Sequence, residues 1–197
     1  MNSNITQFKL YNIIDSCSVW NILLSPIIYQ ASLTAGCFYI MTGYVAYECL
    51  HKKRKLGLNT TSIERLEKEI KAGKFTTYNI TIDDLQDIEI LNNRKRLGKG
   101  ELSAIVFAQK TRQAFLTDDK KARKLGNDVL GSENVQTTPH LVGYCFYKRH
   151  LLDGDFNILI QEHTSTLSGS WGNFSPYFQK AYEYSLKIRL MEKKNIK

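Results

Sequence analysis

Cysteine is scarce in this chain, with four among 197 residues: Cys17, Cys37, Cys49 and Cys145. No two of them form a C-x-x-C pair and all lie among apolar neighbours. A zinc site and a disulfide framework are therefore unsupported, and the thiols read as reduced and packed, as in a cytoplasmic protein. Charge is missing altogether between Asp15 and Glu48, a stretch long enough to span a bilayer. Asn21, Ser25, Pro26, Gln30, Ser32, Thr34 and Gly36 interrupt it, however, so it lacks the window of about 20 continuously apolar residues that a spanning helix needs. No basic leader precedes a small-residue cleavage site, so no signal peptide is expected. Repeats and low-complexity tracts are absent. None of the four histidines has a nearby Ser or Cys arrangement suited to nucleophilic catalysis.

The chain does carry an excess of positive charge. Lys and Arg number 27 against 19 Asp and Glu, a net charge of +8, which suits a polyanionic partner without naming it. With 43% hydrophobic residues, the length fits one well-filled core and is short for two, so a single compact domain is expected.

The stretch LGKGELSAIVFAQKTRQAFLTDD, residues 97–119, organises the rest. A helix bounded by Gly98 and Gly100 has Glu101 on its first turn. It is followed by a short apolar strand, 114–117, that ends at Asp118 and Asp119. The same grammar occurs at the start, where strand 10–14 ends at Asp15. Acids at the carboxyl ends of strands in an open parallel sheet meet in one crevice.

In order, residues 19–33 predict an apolar helix broken or kinked at Pro26, and 38–41 a fully buried strand. Thr42 caps a helix over 43–51 that carries Glu48 among Val45, Ala46, Cys49 and Leu50. A carboxylate in such company either faces solvent at the helix rim or has a partner. The basic run HKKRK follows at 51–55, then a charged surface helix over 62–72 ending at Gly73. Residues 75–82 predict an edge strand, with Asp83 or Asp84 capping a helix over 85–97. Asp118 and Asp119 open a helix bearing Lys120, Lys121, Arg123 and Lys124, and one of the two aspartates can serve simply as its cap. A strand over 135–137 and helices over 138–150, 156–163 and 174–197 complete the chain.

Strand-helix alternation with crossover lengths of this kind implies an α/β fold with a central parallel sheet flanked by helices. On it, Asp15, Glu48, Glu101 and Asp118 come from four segments that can converge at one end. Clustered carboxylates raise one another's pKa unless cations neutralise them. Mg²⁺ and Mn²⁺ favour such oxygen ligands, and ions held this way support in-line displacement at phosphorus. Phosphodiester hydrolysis is the expected chemistry.

The segments IIDSCSVWNIL, GYVAYECL, LGKGELSAIVFAQ, AFLTDDKKARKLG and VQTTPHLVGYCFYKRHLLDGD together resemble, in order and spacing, the PIN-domain nucleases, and in particular the branch with Gly-Glu before the middle helix and Asp-Asp after the strand. The resemblance implies a Rossmann-like PIN fold, a Mg²⁺ or Mn²⁺ site and endoribonuclease activity on RNA. It also implies an antitoxin partner, since many members are toxins of toxin-antitoxin modules, and a homodimer. By matching motif, the site acids are Asp15, Glu48, Glu101, Asp118 and Asp119, with Asp15, Glu101 and Asp118 on the metal. Ser16 and Ser18 both match the hydroxyl that follows the first acid. Lys99, Lys120, Lys121 and Arg123 flank these acids and are the candidates for phosphate contacts. The chain departs from compact members in a charged helical insertion at about 52–96 and in a helical extension at about 152–197, and it has Glu101 where many relatives have Asp. Two other readings remain: a non-catalytic PIN-like module that binds RNA or protein, and a DNA-directed nuclease in phage defence.

Overall fold

A computed structural model of the chain describes residues 5–52, 60–166 and 174–195. These residues form two compact units. One comprises Lys9–Trp20 and Phe38–Gln136; the other comprises the described parts of Met1–Phe8, Asn21–Cys37 and Thr137–Lys197. Within them, the segment expected as an insertion falls in the first unit and the expected C-terminal extension in the second.

The first unit is built on a five-stranded, all-parallel sheet in the order β3-β2-β1-β4-β5. The strands are β1 (Tyr11–Ile14), β2 (Phe38–Thr42), β3 (Phe75–Tyr78), β4 (Ala114–Leu116) and β5 (Val135–Gln136). The fold is therefore α/β and Rossmann-like. The strand order runs outward from β1 in both directions, so the gap between β1 and β4 is the topological switch point, where crevices open at the carboxyl ends. Ile13, Ile14, Phe115 and Leu116 in these two strands are fully buried. Each such side chain contributes about 1.5–3 kcal/mol relative to exposure, so the centre of the sheet holds the register Ile13↔Phe115 and Ile14↔Leu116.

The helices of this unit are α1 (Ser16–Leu23), which begins here, α3 (Gly43–Leu50), α4 (Thr60–Lys71), α5 (Ile82–Arg94), α6 (Lys99–Thr111) and α7 (Lys120–Leu130), with α2 (Pro26–Thr34) in the second unit. α6 packs on β1, β2 and β4. Its buried face, Leu102, Ser103, Ala104, Ile105 and Ala108, is small enough for close approach to the sheet. The expected break at Pro26 lies between α1 and α2, with Pro26 at the first position of α2 behind the N-cap Ser25.

The second unit contains α2, α8 (Thr138–Tyr147), α9 (Asp155–Thr166) and α10 (Ser175–Asn195). Ile5, Phe8, Leu141, Phe146, Leu159, Phe178 and Ala181 are buried in it. A Cβ on Gly143 would lie 2.6 Å from Ile5 Cδ1 and 3.4 Å from the Cβ of Ala181, so glycine permits the close packing of α8 there. Among the described residues no helix is long and apolar enough to cross a membrane.

Several local expectations are corrected. β2 is not fully buried: Phe38 is 52% exposed and stacks on Tyr11, ring centroids 5.0 Å apart. α5 starts and ends three residues earlier than its apolar pattern suggested, and neither Asp83 nor Asp84 is its cap. Thr81 caps it, accepting from Asp84 N–H at 3.3 Å, while Asp84 Oδ2 accepts from Thr81 N–H at 2.8 Å. This is a capping box with Asp in the place usually taken by Glu. α8 stops at Tyr147, and residues 53–55 of the basic run lie outside the described residues.

Asp84 is buried and also accepts from Tyr78 Oη and Lys110 Nζ, each at 2.8 Å. Burial alone would raise its pKa, but the Lys110 ammonium, the Thr81 N–H and the Tyr78 hydroxyl outweigh it and hold the carboxyl well below the usual range. A depressed carboxyl contributes stability above its unfolded value, about pH 4, that is lost as pH falls through the folded pKa. Asp84→Ala is therefore expected to cost about 2 kcal/mol in urea unfolding at pH 7, with the difference from the parent shrinking below pH 4. The exposed neighbour variant Asp83→Ala should stay within about 0.5 kcal/mol.

Candidate functional site

Register brings the first two acids together. Because Ile14 pairs with Leu116, the residues that follow, Asp15 and Thr117, leave β1 and β4 side by side. Asp15 N–H donates to Leu116 O at 3.2 Å. Thr117 Oγ1 donates to Asp15 Oδ2 at 2.5 Å, and the N–H of Ser18, on the first turn of α1, donates to Asp15 Oδ1 at 2.8 Å. Ser18 Oγ donates in turn to Asp118 Oδ2 at 3.2 Å. One hydroxyl residue thus touches both strand-end carboxylates.

Asp15 is 1% exposed, and its pKa is pushed up to about 7. Burial is the main cause and the Asp118 charge adds to it, against the hydrogen bonds from Thr117 and Ser18. The carboxyl holds a proton up to neutral pH unless a cation replaces it.

The second pair lies where α3 meets the start of α6. Ser16 Oγ donates to Glu48 Oε2 at 3.1 Å, and Lys52 Nζ lies 3.5 Å from Glu48 Oε1 one turn along. Glu48 does not stand free at a helix rim; its carboxylate lies over the first turn of α6. A Cβ on Gly100 would sit 2.7 Å from Glu48 Oε2 and 3.0 Å from its Cδ, so Gly100 is the residue that lets Glu48 in. Glu101 Oε2 accepts from the Gly98 N–H at 2.7 Å. Its pKa is raised, chiefly by burial, opposed by that hydrogen bond, with Asp119 and Glu48 adding and Lys52 subtracting. Thr42 Oγ1 and Ser103 Oγ, 2.6 Å apart, tie the start of α3 to α6.

The two aspartates after β4 divide their work. Asp119 is the N-cap of α7, its Oδ1 accepting from the N–H groups of Lys121 and Ala122, each at 2.7 Å. Asp118 turns to Ser18. Ser16 and Ser18 are both used, one for each pair of acids. Sequence reasoning missed Thr117, whose hydroxyl also accepts from Asp119 N–H at 3.2 Å. Its signal was a small hydroxyl residue directly before the Asp-Asp pair.

The basic candidates cluster at helix starts. Lys99 is the first residue of α6, and Lys120 and Lys121 are the first two of α7. All three are exposed, and Arg123, on the same first turn, is half-buried. Cations at a helix N-terminus oppose the dipole at a cost of about 0.3–1 kcal/mol each, so these lysines do not serve helix stability.

Among the described residues no three side chains of His, Cys, Asp and Glu are gathered closely enough to hold an ion; the acids stand as two linked pairs. Their chemistry nonetheless suits a hard divalent cation. All donors are carboxylate oxygens, and both Asp15 and Glu101 have pKa values raised in part by neighbouring carboxylates. A cation would relieve that repulsion.

Comparison with family models, with curated proteins and with solved structures finds no match to the chain.

Gly100→Ala is expected to push the Glu48 carboxylate aside while leaving the fold intact, because the obstructed atoms are the end of a flexible side chain. Melting temperature should move by less than about 3 °C. Any divalent-ion affinity of the site, measured by calorimetry, should fall at least as far as it does in Glu48→Gln.

Proposed function

We propose that this protein is a metal-dependent nuclease that hydrolyses phosphodiester bonds, with RNA as the substrate. The observation that carries the reading is the buried Asp15, hydrogen-bonded by Thr117 and linked through Ser18 to Asp118 at the sheet's switch point. Burying a carboxylate costs several kcal/mol unless something compensates it, and the hydrogen bonds from Thr117 and Ser18 still leave its pKa near 7. A bound cation supplies the missing compensation.

Asp15 and Asp118, the pair joined through Ser18, would hold Mg²⁺ or Mn²⁺, since such an ion keeps several waters and needs only one or two carboxylates; the resemblance to PIN-domain nucleases adds Glu101 to the set. When bound, such an ion lowers the pKa of a water nucleophile and neutralises charge on the leaving oxygen. The chain's own residues do the rest. Ser18 and Thr117 fix the two strand-end carboxylates, Ser16 and Gly100 fix Glu48, and Asp119 caps α7 while adding negative charge near Glu101. Lys99, Lys120 and Lys121, placed against the helix dipole, draw in the phosphate backbone, with Arg123 beside them. The resemblance of the five motifs to PIN-domain nucleases supports the same reading and extends it to a toxin with a protein antitoxin. The net charge of +8 is as expected for a protein that binds a polyanion.

End-labelled RNA and DNA oligomers, single- and double-stranded, incubated with Mn²⁺, Mg²⁺ or EDTA test this. RNA should be cut with either metal and not with EDTA, and Asp118→Asn should lower the rate by about 100-fold or more. Cutting of DNA alone would keep the site and change the substrate. An Asp118→Asn variant as active as the parent would refute the assignment. Because ion binding must displace the proton on Asp15, Mn²⁺ affinity measured by calorimetry should rise with pH, up to about tenfold per unit below pH 7, and flatten above it.

A further inference from the structure

One face of α3 carries more than Glu48. Tyr44, Tyr47, Glu48 and His51 are spaced i, i+3, i+4 and i+7, within a sector of about 100° around the helix. The opposite side, Val45, Ala46 and Cys49, is the buried one. Glu48 leans onto Gly100, but Tyr47 remains 59% exposed. Its ring lies beside the His51 imidazole, with centroids 5.6 Å apart and planes tilted by 45°, so Tyr47 offers the stacking face and His51 flanks it. Lys99 Nζ lies 5.6 Å from the centre of the Tyr44 ring, close enough for a cation–π contact, and Lys52 approaches Glu48 from the same helix. Aromatic rings and cations therefore alternate along the edge of the carboxylate site.

An exposed Tyr–His pair within one helical turn, about 5.4 Å, of a site carboxylate has a ready use. Nucleobases stack on aromatic faces whatever their sequence, while lysines follow the backbone. Bases in a duplex have both faces covered and cannot use such a surface.

We propose that Tyr47 and His51 form a stacking platform for one unpaired nucleobase, held next to the carboxylates while Lys99 and Lys52 contact the adjoining phosphates. The platform makes the site selective for single strands. It rests on the nuclease reading, yet it is separable from it.

Fluorescence anisotropy with labelled RNA and DNA oligomers, each as a single strand and as a duplex, tests it. Binding is measured in EDTA and again in Ca²⁺ for the parent, Tyr47→Phe, Tyr47→Ala and Tyr47→Ala/His51→Ala, with circular dichroism as the check on folding. The double variant should lose about tenfold or more in single-strand affinity and keep its duplex affinity, while Tyr47→Phe binds as the parent does. The RNA and DNA arms show which backbone the platform serves. A folded double variant that binds single strands as tightly as the parent would overturn the platform alone, as would equal losses for single strand and duplex. A parent that binds no nucleic acid in either condition would overturn the nuclease reading and the platform with it.

Discussion

The Thr117 hydroxyl donates to Asp15 across the β1–β4 pair at 2.5 Å, and the remaining features of the site follow from that contact. It exists because hydrophobic burial holds β1 and β4 in register up to Ile14 and Leu116. A slip of one residue would move every side chain of β1 to the other face of the sheet and take Asp15 away from Thr117. The register that fills the core therefore also delivers a carboxylate to the edge of the sheet. Asp15 then anchors Ser18, Ser18 reaches Asp118, and Ser16 on the same turn reaches Glu48. Three hydroxyl side chains, Ser16, Ser18 and Thr117, distribute acids from three segments around one switch point.

Electrostatics at this edge runs against folding stability. A carboxyl with its pKa raised from about 4 in the unfolded chain to about 7 contributes stability that is present below pH 4 and is lost as pH rises to 7. Glu101 acts in the same direction, and so do three lysines set at helix N-termini. Elsewhere the chain handles charge conventionally, as at Asp84, where a lysine, a hydroxyl and a capping N–H share one buried carboxylate. Unfavourable placement gathered at one site, in a chain that pairs its buried Asp84 so fully, is what a binding site requires.

Much of the fold was legible in the sequence because apolar periodicity and turn residues are local signals. The five strands, the break at Pro26, Thr42 as a cap and the two Asp-terminated strands all follow from neighbouring residues. Phe38 was misjudged because its exposure depends on Tyr11 in the adjacent strand, and α5 was displaced because Thr81, with a weaker signal than two consecutive aspartates, takes the cap. In the site, the acids were visible as residue types at strand ends. Their partners were not. That Gly100 admits Glu48, that Ser16 and Ser18 serve different acids, and that Asp119 rather than Asp118 caps α7 are all facts about side-chain direction, which spacing alone does not determine.

The most direct test of the account is the titration of the Asp15 carboxyl carbon, followed by NMR in protein labelled with ¹³C at aspartate and assigned with Asp15→Asn. Without divalent ions, Asp15 should titrate near pH 7. With saturating Mg²⁺ its midpoint should fall by about two units or more, as expected when a cation replaces the proton. A midpoint near 4 in the absence of metal, or one near 7 that Mg²⁺ leaves unmoved, would contradict the claim that this buried carboxylate is built to receive a cation.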